Sequence, residues 1–133
     1  MKISLPNAPL KVLVIEDDKP LAEILEELFA DFGYLSTILH YTNDLFSVIK
    51  EYVPDIILLD HLLPHINGGE LCIQLKKSEL FRHIPVIIFS ALPKHMILRH
   101  DYGYDVFIEK PFDLIDLVNT IEELAGTGNR PQH

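Results

Sequence analysis

Three short blocks of this chain are apolar at every position: Val12–Ile15 (VLVI), Ile56–Leu59 (IILL) and Val86–Phe89 (VIIF). A strand with one face in water alternates apolar and polar residues, because successive side chains point to opposite sides. A strand without that alternation must be covered on both faces. This is the condition of strands in a parallel sheet flanked by helices.

Amphipathic stretches separate the blocks. Pro20–Phe32 carries Leu21, Ile24, Leu25, Leu28 and Phe32 near a 3.6-residue period, with acids between them and Gly33 as a stop. Leu45, Val48, Ile49 and Tyr52 form a second stripe, with Thr42 or Asn43 as its cap and Pro54 as its end. Gly68–Leu80 is a third, with Leu71, Leu75 and Leu80 facing inward. Lys94–His100 reads as a short or irregular helix, since Pro93 disfavours helical backbone at Leu92. Leu114, Leu117, Val118, Ile121 and Leu124 make the last, which stops at Gly126. The strands lie at Leu10–Glu16, Tyr34–Leu39, Asp55–Asp60, Pro85–Ser90 and Tyr104–Glu109. Strand and helix thus alternate five times, and the expected class is α/β with a parallel sheet covered on both faces.

The length, 133 residues, suits one core and not two. Residues 10–126 are expected to form the domain, with 1–9 as an N-terminal extension and 127–133 as a flexible tail. A net charge of −9 argues against direct binding to a nucleic-acid backbone. No apolar run approaches the ~18 residues of a membrane span, and residues 1–9 lack the apolar centre of a secretion signal. The expectation is a cytoplasmic protein without membrane insertion. Cys72 is the only cysteine, so no internal disulfide forms, and it reads as a small, partly buried side chain.

The chemistry gathers at the strand ends. The first strand runs into Glu16, Asp17 and Asp18, the third into Asp60, the fourth into Ser90 and the fifth into Lys110. In open parallel α/β sheets, ligands bind beyond the carboxyl ends of the strands. One polar strand end is ordinary, because loops are wet. Four carrying acids, acid, hydroxyl and ammonium are a constellation. Clustered carboxylates repel unless a cation lies among them. Hard oxygen donors suit Mg²⁺, which keeps positions for water and phosphate oxygens. A carboxylate beside Mg²⁺ can attack a phosphoryl group and form an acyl phosphate, while a lysine, a hydroxyl and backbone N–H groups stabilise the spread negative charge.

In this order, VIEDD, LLDHLLP, NGGEL, FSA and EKPF resemble the receiver domain of bacterial response regulators, over Lys11 to about Ala125. The resemblance implies a doubly wound, flavodoxin-like five-stranded sheet in the order 2-1-3-4-5. It implies that Asp60 accepts phosphate from a histidine kinase or histidine phosphotransfer protein, with Mg²⁺ as cofactor. Asp17 and Asp60 would bind the ion directly, Glu16 mainly through water, and the backbone carbonyl of Leu62 would be a further ligand. Lys110 would pair with Asp60 and then with the phosphoryl oxygens. Ser90 would bind the phosphoryl group, with the N–H of Ala91 nearby. The Lys110–Pro111 bond would be cis. Phe107 falls at the aromatic switch position, where a ring turns inward as Ser90 moves toward the phosphate. Output and phosphorylation-dependent dimerisation would use the face of the fourth helix, fifth strand and fifth helix. Such a module is a phosphoacceptor in two-component signalling and not an enzyme acting on other substrates.

The sequence departs from the family in places. The stretch between Ser90 and Lys110 is shorter than usual, and Tyr102 stands where the family tends to have Ala. Leu62 and Leu92, two positions past Asp60 and Ser90, cannot orient a water by hydrogen bonds, so self-dephosphorylation is expected to be slow. Asp18 extends the acidic cluster. His61 and His65 are read as loop residues around Pro64 and not as a second metal site. His83, His95 and His100 are read as surface residues.

Other readings are weaker. An Asp-nucleophile phosphatase usually has Asp-x-Asp after the first strand, where this chain has Glu-Asp-Asp. A flavodoxin-like cofactor binder would need a loop rich in Gly, Ser or Thr there, and EDDKPL would repel phosphate. A degenerate receiver would lack a required residue type, and each is present.

Overall fold

The computed structural model describes residues 8–64, 66–97 and 102–125. Five strands, β1 (Lys11–Ile15), β2 (Leu35–Leu39), β3 (Ile56–Asp60), β4 (Val86–Ser90) and β5 (Val106–Glu109), form one parallel sheet in the order β2-β1-β3-β4-β5. The expected class and strand order hold. β3 and β4 are buried at every position, while the edge strands β2 and β5 are only partly covered. This explains why the inner strands lack alternation.

The sheet separates two apolar layers. One contains Leu13, Ile15, Ile57, Leu59, Val86, Ile88 and Phe107 and packs on helices α2 (Leu45–Tyr52) and α3 (Gly68–Lys77). The other contains Val12, Val14, Ile56, Leu58, Ile87 and Phe89 and packs on α1 (Lys19–Asp31) and α5 (Leu114–Leu124). A fully buried Leu, Ile or Phe contributes roughly 1.5–3 kcal/mol, so these layers carry most of the stability. Cys72 is fully buried, and burial pushes its thiol up to about 12, so it behaves as an inert core side chain.

Helix boundaries follow capping chemistry. Asp18 caps α1 by accepting from the N–H of Leu21, and Gly33 ends it in the left-handed region (φ 77°). The buried stripe of α1 is Ala22, Leu25, Leu28 and Phe29. Ile24 and Phe32, expected inside, are 45% and 46% exposed. They lie on the flank of a stripe whose centre is set by Ala22 and Phe29. The cap of α2 is Asp44, and not Thr42 or Asn43. Its carboxylate accepts from both the N–H and the hydroxyl of Ser47, while Thr42 accepts from the N–H of Asp44 one step earlier. Pro54 bars helical backbone at Val53, which closes α2 in the left-handed region (φ 53°). α3 stops at Lys77, three residues before Leu80, which is therefore exposed and not inward.

α4 (Lys94–Ile97) is a single turn beginning just after Pro93. Residues 98–100 of the expected helix, the stop at Gly126 and the terminal segments lie outside the described residues. Among the described residues, no helix is long and apolar enough to cross a membrane.

Candidate functional site

The parallel register carries the strand ends to one edge. Ile15 pairs with Leu59, Asp60 with Phe89 and Ser90 with Glu109, so Glu16, Asp60, Ser90 and Lys110 end within a residue of a common line. Side chains alternate along each strand. Glu16 continues the parity of Val12 and Val14, Asp60 that of Ile56 and Leu58, and Lys110 that of Val106 and Ile108. All three belong to the α1/α5 side.

There the Lys110 ammonium lies 2.8 Å from Glu16 Oε1 and 3.5 Å from Asp60 Oδ2. Lys110 therefore pairs with Asp60 as expected, but holds Glu16 more closely. Glu16 is fully buried, and Asp60 is 5% exposed. Burial first, then the hydrogen bond shared with Asp60, pushes the Glu16 carboxyl up to about 7, against the downward pull of Lys110 and of the Asp18 N–H. For Lys110, burial alone would pull the pKa down. The hydrogen bond to Glu16 and the charge of Asp60 outweigh it, and the ammonium is held above the ordinary lysine value. Its cation also sits 5.1 Å from the centre of the Phe89 ring.

Glu16, Asp17 and Asp60 each present a ligand atom within 4.8 Å of the other two, and Asp17 is exposed. The set fits a hard divalent cation: three carboxylates on one side, with the Asp17 edge open for water or a further oxygen. Asp18 is set apart from this group by its task as the α1 cap. His65 lies outside the described residues, and Glu16, Asp17 and Asp60 are the only metal-type cluster among the described ones.

The turn after Asp60 is shaped by Asn67 and Gly68. The N–H of Leu62 donates to Asp60 Oδ1 (3.3 Å), and the N–H of Gly68 donates to the His61 carbonyl (2.8 Å). The Asn67 amide oxygen accepts from Gly69 and Glu70 and caps α3. A Cβ on Gly68 would lie 2.2 Å from the Asp60 carbonyl oxygen. Only glycine lets α3 begin against the backbone of Asp60, which gives the NGG sequence a steric reason. The Leu62 side chain is half exposed, and Ala91 is exposed directly after Ser90.

Ser90 has the opposite parity, that of Val86 and Ile88, and is fully buried. Its Oγ accepts from the Leu92 N–H (3.0 Å) and lies 3.3 Å from His61 Nδ1. His61 lies in the loop after β3, as the sequence indicates, yet it is buried, with its ring 5.7 Å from that of Tyr102. Phe107 is already buried at 7% exposure and packs against Tyr104, so the ring at the expected switch position is turned in. The Lys110–Pro111 bond is cis. His83 and His95 are exposed as expected, and His100 lies outside the described residues.

The profile of the response regulator receiver domain matches residues 12–122. Among solved structures, the chain is similar to the receiver domain of a signal transduction histidine kinase from Syntrophus aciditrophicus, with 28% identity and a TM-score of 0.81 over 92% of this chain and 94% of that one. It is also similar to a Francisella response regulator receiver domain, with 29% identity and a TM-score of 0.78 over 90% of this chain and 98% of that one. The receiver domain of a sensor histidine kinase from Pseudomonas aeruginosa, solved with magnesium in its active-site cleft, shares the fold at 23% identity and a TM-score of 0.78 (90% and 99% covered). With the strand order, the acidic cluster and the lysine beside it already in place, the chain belongs to the response regulator receiver domain family of two-component signalling.

Proposed function

We propose that this receiver takes a phosphoryl group on Asp60, in a Mg²⁺-dependent reaction, from a histidine kinase or histidine phosphotransfer protein. The observation that carries this reading is the position of Asp60: a nearly buried carboxylate at a strand end, between two further acids and a lysine cation. An Asp60 oxygen attacks phosphorus, the bond from phosphorus to the donor nitrogen breaks, and the donor imidazole keeps the electron pair. Asp17, Asp60 and the Leu62 carbonyl would hold the ion, with Glu16 acting through water. The bound ion would supply positive charge against the phosphoryl oxygens. Lys110, the Ser90 hydroxyl and the Ala91 N–H bind the remaining oxygens. Residues 10–126 act as one unit in this reading, and the face of α4, β5 and α5 passes the change to a partner protein or to a second copy. Leu62 and Leu92 leave the acyl phosphate without a side chain to orient water, which favours slow hydrolysis.

Acetyl phosphate with Mg²⁺ tests the reading by intact mass. The chain is expected to gain one phosphoryl group, and the gain to vanish in Asp60→Asn and with a chelator. A gain that survives in Asp60→Asn, or none in the unmutated chain, overturns it.

A further inference from the structure

On the buried face of the site opposite the carboxylates, Ser90 sits beside a polar ring, that of His61. His61 directly follows Asp60 but shares the parity of Ile57 and Leu59, so its imidazole enters the α2/α3 layer together with Ser90. Packing alone would be served by a leucine or phenylalanine. An imidazole in such a place costs free energy unless a hydrogen bond compensates it. Ser90 Oγ, 3.3 Å from Nδ1, supplies one. The Tyr102 ring closes the other side of the pair, 5.7 Å from the imidazole. Tyr102 has room because residue 69 is glycine: a Cβ there would stand 2.5 Å from the ring carbons. His61, Ser90, Tyr102 and Gly69 are thus one packed unit.

We propose that His61 is a positioning residue that holds the Ser90 hydroxyl away from Asp60 until a phosphoryl group arrives. The inference rests on Asp60 as the phosphoacceptor. Ser90 Oγ accepts from the Leu92 N–H and is held 3.3 Å from His61 Nδ1, in a hydrogen bond whose donor is set by the imidazole tautomer. Asp60 belongs to the other parity. In either tautomer, Oγ cannot stay beside the imidazole on one face of the sheet and reach a phosphoryl oxygen on the other. It must turn away from His61 to reach the phosphoryl group, and the imidazole then loses that partner. Tyr102, packed on the ring and leading into β5, is the side chain that feels the change first. The shift thereby reaches the β5 edge by a route beside Phe107.

The test uses the full chain with Mg²⁺ and beryllofluoride, an anion with the shape and charge of a phosphoryl group. His61→Phe keeps a ring against Tyr102 and removes Nδ1. Its affinity for beryllofluoride, measured by calorimetry, is expected to rise about threefold to tenfold, the worth of one hydrogen bond. In a Ser90→Ala background the same substitution is expected to change nothing. Equal affinities across all four proteins, or an equal change in both backgrounds, overturn the role of His61 while leaving Asp60 in place. No binding by the unmutated chain overturns the Asp60 reading itself. A second measurement needs no variant of His61. Imidazole ¹⁵N resonances are expected to shift at His61 Nδ1 when beryllofluoride is added to the unmutated chain, and not in Ser90→Ala. An unmoved Nδ1 in the unmutated chain overturns the proposal even where His61→Phe does not fold.

Discussion

The two parities at the carboxyl edge of the sheet are chemically unlike. On the α1/α5 side, Glu16, Asp60 and Lys110 are charged or chargeable, and each is largely removed from water. On the α3 side, His61, Ser90 and Tyr102 are joined by one short-range contact and by packing. Carboxylates crowded in low dielectric repel, so the first group depends on a cation and on pH. The second depends on the direction of one hydroxyl. In the proposed reading, the ion and the acceptor carboxylate belong to the first side, while the second lends one hydroxyl to the phosphoryl group and carries the response.

Lys110→Met breaks the charged side most severely. It removes the cation 2.8 Å from Glu16 and 3.5 Å from Asp60. Phosphorylation by acetyl phosphate is expected to slow by about 100-fold or more, as for loss of one stabilising donor from a transition state. Mg²⁺, measured by calorimetry, is expected to bind more tightly, because a competing positive charge is gone. A variant that phosphorylates at the normal rate would show that the charged group does not act as a unit.

Two neighbouring glycines sharpen the contrast. Alanine at either position gains similar helix propensity in α3. A Cβ at Gly68 meets the Asp60 backbone at 2.2 Å, which cannot yield locally. A Cβ at Gly69 meets the Tyr102 ring, which can turn. Gly68→Ala is expected to cost roughly 1–3 kcal/mol in urea unfolding and to slow phosphorylation. Gly69→Ala is expected to cost less and to leave Mg²⁺ affinity unchanged. The reverse ranking would mean that the neutral side is the rigid one.

Much of this architecture is legible in the residues themselves. Unalternating blocks demand a doubly covered sheet, and their polar ends name Glu16, Asp17, Asp60, Ser90 and Lys110. What escapes such reading is orientation. Periodicity locates the stripe of α1 but not its centre, which Ala22 and Phe29 set at the expense of Ile24 and Phe32. A run of three acids does not reveal that Asp18 turns back to cap a helix. His61 is a loop residue, as Pro64 indicates, but its burial is not evident from that. Its parity with Ile57 and Leu59 was the available signal, together with a missing side chain at Gly69 and a large one at Tyr102.

The pH dependence of ion binding probes the charged side more gently. The Glu16 carboxyl rises from an ordinary 4.5 to about 7 on folding, chiefly through burial. Between those values the folded chain holds a proton that the unfolded chain has released. This contribution to stability is therefore complete below about pH 4.5 and is lost as pH rises through about 7. A divalent ion needs the carboxylate, so it competes with that proton. Mg²⁺ affinity is expected to fall by up to tenfold per pH unit below 7, and this dependence to flatten in Glu16→Gln. An affinity constant from pH 5.5 to 8 would show that Glu16 stands apart from the ion.

The smallest effect separates Asp18 from its acidic neighbours. Asp18 accepts from the Leu21 N–H at the start of α1, and its own N–H donates to Glu16 Oε2 at 3.1 Å. A backbone N–H survives substitution, and a capping carboxylate does not. Asp18→Ala is thus expected to cost about 1 kcal/mol of stability, the usual worth of a helix cap. Asp18→Asn should recover most of it, because an amide oxygen caps as well as a carboxylate. Neither variant is expected to change Mg²⁺ affinity beyond a modest loss from reduced negative charge, whereas Asp17→Asn should weaken it strongly. If Asp18→Asn lowered Mg²⁺ affinity as much as Asp17→Asn did, Asp18 would belong to the charged group, and the line between helix cap and ion ligand would have to be redrawn.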